Sequence, residues 1–231
     1  PTISELHSPA VPTLRVTNQL MEAVLLLDGE ELVGAQQDRV ANLTILIPAG
    51  STIEIPVSCV EAGRWHMQSP SFRSSPRAHY ARGRALRHES VTYAMLGSRG
   101  ASRQSEQQTV WHDIVRKFRA LNVDAPTMAQ RDAFERYEST IREYVDGLHP
   151  QDGQTGACFA IDGSVRGFDL FDSATTLREL LPKLVSSYAL DAIETVREDA
   201  KPPERAAAVA FVRSIEDAEV QKYEALGEGE D

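Results

Sequence analysis

The chain has 231 residues, enough for one large domain or two small ones, and at that size about 70% of the unfolded surface can be buried. An apolar fraction of 42% beside a charged fraction of 25% is that of an ordinary globular protein, which excludes a disordered or fibrous one. The formal charge of −10 argues against non-specific nucleic-acid binding and against an anionic membrane surface. No apolar run approaches the ~18 residues of a membrane helix, and no basic-then-apolar segment opens the chain, so the cytoplasm is the expected compartment. Charge is unevenly spread. Arg64, Arg73, Arg77, Arg82, Arg84, Arg87, Arg99 and Arg103 are opposed only by Glu89, a segment better suited to a small anion than to a long polyanion.

Residues 14–60 read as strands. Ala23–Leu27 and Glu30–Val33 flank Asp28-Gly29, a two-residue hairpin signal because type I′ turns need positive φ. That register pairs Leu27 with Glu30 and Leu26 with Glu31, so the two glutamates point to opposite faces. Leu43, Ile45 and Ile47 form a further run. Ile53, Ile55, Val57 and Cys59 then alternate with Thr52, Glu54, Pro56 and Ser58, the pattern of a half-buried strand. Pro56 cannot donate to a ladder, which predicts an edge or a bulge there.

From Pro70 to Arg103 the chain is rich in Ser, Arg and Gly, and only Val91–Leu96 reads as a strand. Helical spacing follows. Val110, Trp111, Ile114, Val115, Phe118 and Leu121 form one stripe. Thr127 with Gln130 resembles a capping box ahead of a second stripe, Phe134, Tyr137, Ile141, Tyr144, Val145 and Leu148. Asp162-Gly163 predicts a second hairpin between Ala157–Ile161 and Ser164–Phe171. Asp172 is a candidate cap for a helix striped by Leu177, Leu180, Leu181, Leu184, Val185 and Tyr188, with Pro182 expected to kink or interrupt it. Pro202-Pro203 opens a last helix carrying Val209, Val212 and Ile215, which runs toward a possible short strand at Val220–Tyr223.

Strands first and helices later predict an α+β fold: an N-terminal antiparallel β-sheet or sandwich followed by helices with an inserted β-hairpin. The organisation reads as a single domain over 1–231, β-rich at 10–70, Arg/Ser-rich at 70–103 and mainly helical at 104–231.

The densest polar run is Glu30, Glu31, Gln36, Gln37, Asp38, Arg39 and Asn42. Paired carboxylates beside amides and an arginine suit a polyhydroxy or phosphate-bearing ligand or a hard cation; carboxylates beside a turn are also commonly just solvated. A second block, Glu61-Ala-Gly-Arg64-Trp65-His66, stands at a strand end. There Arg64 suits bidentate phosphate binding and Trp65 suits stacking, or the Arg-Glu pair caps a Trp that plugs the sheet. Ligand-binding candidates are therefore Glu30, Glu31, Gln36, Arg39, Asn42, Glu61 and Arg64. Cys59 with His66 forms a nucleophile–base pairing on paper, but its alternation places the thiol on the core face. His7, His66, His79, His88, His112 and His149 show no metal-ligand spacing and no Gly-rich phosphate loop is present, so the sequence leaves any cofactor unknown.

The run Leu25-Leu-Leu-Asp-Gly-Glu-Glu-Leu-Val-Gly-Ala-Gln-Gln-Asp-Arg-Val40 with Asn42 resembles a known family. So do Ile55-Pro-Val-Ser-Cys-Val-Glu-Ala-Gly-Arg-Trp65, the stretch from Asp162-Gly to Gly167-Phe-Asp-Leu-Phe-Asp172, and Ser187-Tyr-Ala-Leu-Asp191. The family is the bacterial and archaeal ADP-ribosylglycohydrolase and rhodanese-phosphatase-superfamily-associated protein domain. That name records gene company, and the resemblance implies handling of an ADP-ribose-like or other nucleotide-derived ligand; it brings no catalytic residues with it. The alternative is a non-catalytic protein-interaction or structural module.

Overall fold

Alternating apolar residues close six strands into a barrel in the computed structural model, which describes residues 1–8, 10–64, 66–195 and 202–228. In chain order the strands are β1 (Thr2–Ser4), β2 (Thr13–Thr17), β3 (Val24–Leu26), β4 (Glu30–Gly34), β5 (Arg39–Ala41), β6 (Ile45–Ile47), β7 (Thr52–Cys59) and β8 (Phe72–Ala78). Helices α1 (Ala81–Ser98), α2 (Gln107–Leu121), α3 (Gln130–Arg136) and α4 (Glu138–Gly147) follow. The hairpin β9 (Gly156–Ile161) and β10 (Ser164–Leu170) precedes α5 (Ala174–Thr195) and α6 (Arg205–Glu216). The fold is α+β, as the segregation of strands and helices predicts.

Contacts divide the chain into two compact units: Pro1–Ala133 with Tyr223–Asp231, and Phe134–Lys222. In the first, the barrel order is β1-β2-β7-β5-β4-β8, all antiparallel, closed by Ile3 opposite Phe72. Leu14, Val16, Leu32, Ala41, Ile55, Val57 and Phe72 fill the interior, as side chains do in a small barrel. β7 is not an edge strand. It pairs with β2 through Thr52–Pro56 and with β5 through Val57–Cys59, so Pro56 falls where the partner changes.

Asp28-Gly29 turns the chain, with Glu30 N–H donating to Leu27 O at 2.9 Å, but β3 and β4 do not pair. β3 pairs with β6 instead, Val24 opposite Ile47, and β4 enters the barrel. The turn is claimed by other partners: Gly29 N–H donates to Ala41 O, His79 N–H to Gly29 O, and the Asp28 carboxylate accepts from Arg87 and Arg84. A corner between two sheets thus stands where the local signal predicts a hairpin.

The segment 70–103 is β8 and α1, and Val91–Leu96 is helical rather than extended. Gly83, Arg87 and Val91, four apart, lie on the buried face of α1. An arginine at the centre of that stripe, 1% exposed, hides the apolar period from the sequence.

In the second unit Asp162 and Gly163 adopt φ of 51° and 73°, the two positive angles of a type I′ turn. The hairpin they close pairs Ile161 with Ser164. Phe159 of β9 stacks on Tyr188 of α5 with ring centroids 4.0 Å apart, while Leu177, Leu181 and Val185 pack with Tyr144, Val145 and Phe171. Ser173, rather than Asp172, accepts the Thr176 N–H at the start of α5; Asp172 accepts the Thr176 hydroxyl. α5 runs through Pro182 without interruption. Residues 220–223 form no strand.

Candidate functional site

Strand alternation sorts the polar residues of the first block into two sets. Leu32, Arg39 and Cys59 lie opposite one another on β4, β5 and β7, and Leu32 belongs to the barrel interior, so all three face inward. Glu31, Val40 and Ser58 form the next row and face out of the barrel. Glu30 shares the inner face with Leu32, and its carboxylate accepts from the Ser74 hydroxyl and from Leu27 N–H at 3.1 Å. Neither glutamate is solvated: Glu30 is 8% exposed and Glu31 fully buried.

The two polar blocks converge. Arg64 donates from Nε and Nη2 to both Glu61 oxygens at 2.9 and 2.6 Å, and from Nη2 to Asp38 Oδ1 at 3.1 Å. Its Nη1 donates to Ala35 O at 2.8 Å. Glu61 accepts in turn from Asp38 N–H at 3.0 Å. The β4–β5 turn is thereby clamped to the end of β7. Gly34, at the end of β4, lets the chain ahead of β8 come close: at φ 140° its α-carbon lies so near the Ser71 carbonyl that a Cβ would stand 2.5 Å from the oxygen.

A third segment completes the cluster. Residues 127–130 pair with 60–63, Gly63 N–H donating to Thr127 O and Gln130 N–H to Val60 O. Thr127 and Gln130 do not form a capping box. The Thr127 hydroxyl donates to Glu61 Oε1 at 3.0 Å, and the Gln130 amide donates to Glu31 Oε1 at 3.0 Å. Arg131 donates to Asp38 Oδ2 at 2.8 Å and stands 3.6 Å from Glu61. Glu31 also accepts from Ser75 and Arg77 at 2.7 and 3.0 Å.

Three carboxylates, Asp38, Glu61 and Glu31, are thus matched by Arg64, Arg131 and Arg77 in a largely dry setting. Burial pushes the Asp38 acid up, and the Glu61 carboxylate beside it adds to this against Arg131, leaving it at about 6. Burial also opposes charge on Glu61, but hydrogen bonds from Arg64 and the Asp38 N–H outweigh it and hold Glu61 below its ordinary value. Adjacent acids driven in opposite directions are the electrostatic arrangement of acid–base and anion-handling sites, and of structural ion networks too.

The remaining candidates lie elsewhere. Asn42 accepts from Ser58 at 2.6 Å and donates to Arg103 O at 3.1 Å, tying the barrel to the loop before α2. Arg39 donates to the Gln37 carbonyl and side-chain oxygens at 3.1 and 3.3 Å. Gln36 is half-buried in the turn, and Trp65 lies outside the described residues. Asp38, Ser75, Arg77, Thr127, Gln130 and Arg131 are the members of the cluster that the candidate set lacks. The spacing of Thr127 and Gln130 did stand out in the sequence, but as a local cap.

Cys59 is fully buried, its thiol donating to Glu61 O at 3.2 Å, and burial pushes its pKa up. We expect slow thiol labelling of the native protein and a loss of about 1–2 kcal/mol in Cys59→Ala from the packing removed. Labelling at the rate of a free thiol at neutral pH would refute the structural role.

Among the described residues no three of His, Cys, Asp and Glu are placed to share a metal ion, and no helix is long and apolar enough to cross a membrane. No curated protein and no solved structure matches the chain. A family model does match, that of the ARG and Rhodanese-Phosphatase-superfamily-associated Protein domain, over residues 2–231, and the chain belongs to that family.

Proposed function

We propose that the barrel-bearing unit binds an ADP-ribose-like or other nucleotide-derived anion at the cluster where the two polar blocks meet. The observation that carries this reading is their convergence on Asp38, Glu61 and Arg64 beneath Arg131, whose side chain is 20% exposed. Asp38 and Glu61 hold the Arg131 guanidinium in place from below, and a cation fixed in advance at the surface suits a phosphate group. ARG in the family name, read as ADP-ribosylglycohydrolase, supplies the nucleotide context; that support is associational.

A non-catalytic protein-interaction or structural module is the second reading, and one observation favours it. Arg64 spends its N–H groups on Glu61, Asp38 and the carbonyls of Gly34, Ala35 and His66, so this arginine already serves the fold.

A thermal-shift screen with ADP-ribose, NAD and simple nucleotides separates the two. A ligand at ~100 times its Kd adds about 2.7 kcal/mol of stability. We expect ADP-ribose to raise the melting temperature of the native protein and Arg131→Ala to abolish that rise. If no nucleotide shifts the transition, the interaction module is the better description.

A further inference from the structure

At one end of the barrel interior, polar atoms are buried without a well-formed hydrogen bond among the described residues: both carboxylate oxygens of Glu5, on which only the Gln36 N–H pulls from the backbone, Nε2 of Gln37 and Nε of Arg39. They belong to one cluster. Arg39 Nη1 donates to Gln37 Oε1 at 3.3 Å, and Arg39 Nη2 stands 4.0 Å from Glu5 Oε1, beyond hydrogen-bond reach. Gln37 and Arg39 are 1% and 2% exposed. The Glu5 side chain, just beyond β1, is the outermost at 10%.

An unpaired buried donor or acceptor costs about 1–3 kcal/mol, and native folds carry few of them. Here two acceptor oxygens and two donor nitrogens are gathered about a single guanidinium, and the mixture restricts what fits. A free anion would meet the Glu5 carboxylate, and a free cation would meet Arg39 and the amide N–H of Gln37. A neutral group that donates and accepts at once satisfies both sides, and neighbouring hydroxyls on a sugar ring do so.

We propose that Glu5, Gln37 and Arg39 hold the hydroxyl-bearing, ribose-type end of the ligand, its hydroxyl hydrogens going to the Glu5 carboxylate and its oxygens accepting from Gln37 Nε2 and Arg39 Nε. This assignment rests on the nucleotide-derived reading for the identity of the ligand and adds which part of it enters the barrel. Burial raises the Glu5 acid, against the pull of Arg39 and of the Gln36 N–H, so binding through its carboxylate strengthens as pH rises past the point where Glu5 ionises.

The test is isothermal titration of the full chain with ADP-ribose, ribose 5-phosphate and inorganic pyrophosphate, in the native protein and in Glu5→Gln and Gln37→Leu, with melting curves to confirm that the variants fold. We expect both variants to bind ADP-ribose and ribose 5-phosphate at least tenfold more weakly and pyrophosphate unchanged. If the sugar-bearing probes bind all three proteins equally, the assignment is overturned and buried water alone completes the cluster, while the nucleotide reading stands. If ribose 5-phosphate binds in a variant-sensitive way but ADP-ribose does not bind, the hydroxyl site stands and the nucleotide reading falls. Failure of both sugar probes to bind the native protein overturns both. Should Gln37→Leu fail to fold, the near-isosteric Glu5→Gln decides.

Discussion

Arg64→Ala is expected to destabilise the barrel-bearing unit by about 3–5 kcal/mol, the cost of removing one partner from a buried ion network and stranding the others. Glu61 and Asp38 are 0% and 1% exposed, and Arg64 is the group that binds both directly from within. Without it Arg131 faces two carboxylates alone from the surface side, and the carbonyls of Gly34 and Ala35 each lose a donor, Ala35 keeping the Gln68 N–H. Arg64→Lys is expected to recover only part of the loss, because an ammonium cannot reproduce the fork that spans Glu61 Oε1 and Oε2. Urea denaturation at neutral pH measures the change directly. A loss under 1 kcal/mol in Arg64→Ala would show that the network contributes little to the fold. This variant therefore reports on stability, and Arg131→Ala is the cleaner probe of binding.

The fold class was legible because it depends on order and period. The alternation of Ile53, Ile55 and Val57 marks β7, the stripe from Val110 to Leu121 marks α2, and Asp162-Gly163 marks a hairpin whose strands lie next to each other in sequence. What a local pattern does not carry is partner choice. Asp28-Gly29 sends the same signal as Asp162-Gly163, yet its strands separate because the Asp28 carboxylate is held by Arg87 and Arg84, 59 and 56 residues away. The site divides in the same way. Glu61, Arg64 and Glu31 stood out as charged residues at strand ends, and the opposite facing of Glu30 and Glu31 followed from alternation. Arg131, Gln130 and Thr127 enter from a helix start whose spacing reads in the sequence as a local cap, so only the tertiary pairing of 127–130 with 60–63 shows their destination. α1 was hidden for a related reason: its buried stripe is built on Arg87, whose charge is neutralised by a residue far away in sequence.

Between pH 6 and 4 the native protein is expected to hold nearly constant stability, and Asp38→Asn to lose about 2–3 kcal/mol over the same range. His79 is 1% exposed, and burial, with Arg87 adding to it against Asp113 and Asp28, lowers its pKa to about 3. The unfolded chain takes up a proton near 6.5 that the folded state refuses, so this residue makes stability fall as pH drops through that window, by up to about 1.4 kcal/mol per pH unit. Asp38 acts in the opposite sense. Its folded acid titrates at about 6 against an ordinary 3.8, so the stability it contributes is fully present below 3.8 and is lost as pH rises through 6. Where the windows overlap, the folded state holds one proton more at Asp38 and one fewer at His79, and the two slopes cancel. Below pH 4 the His79 effect is unopposed, and Glu61 and Asp113, both held below their ordinary values, add to it as acid protonates them; unfolding should then steepen. Asp38→Asn removes the compensating proton and exposes the His79 slope. Denaturant melts of both proteins at pH 7, 6, 5 and 4 give the comparison, and an NMR titration of the His79 ring checks the cause. Parallel stability curves, or a His79 ring that titrates near 6 in the folded protein, would sink the account, because each removes one of the two opposing protons on which the plateau depends.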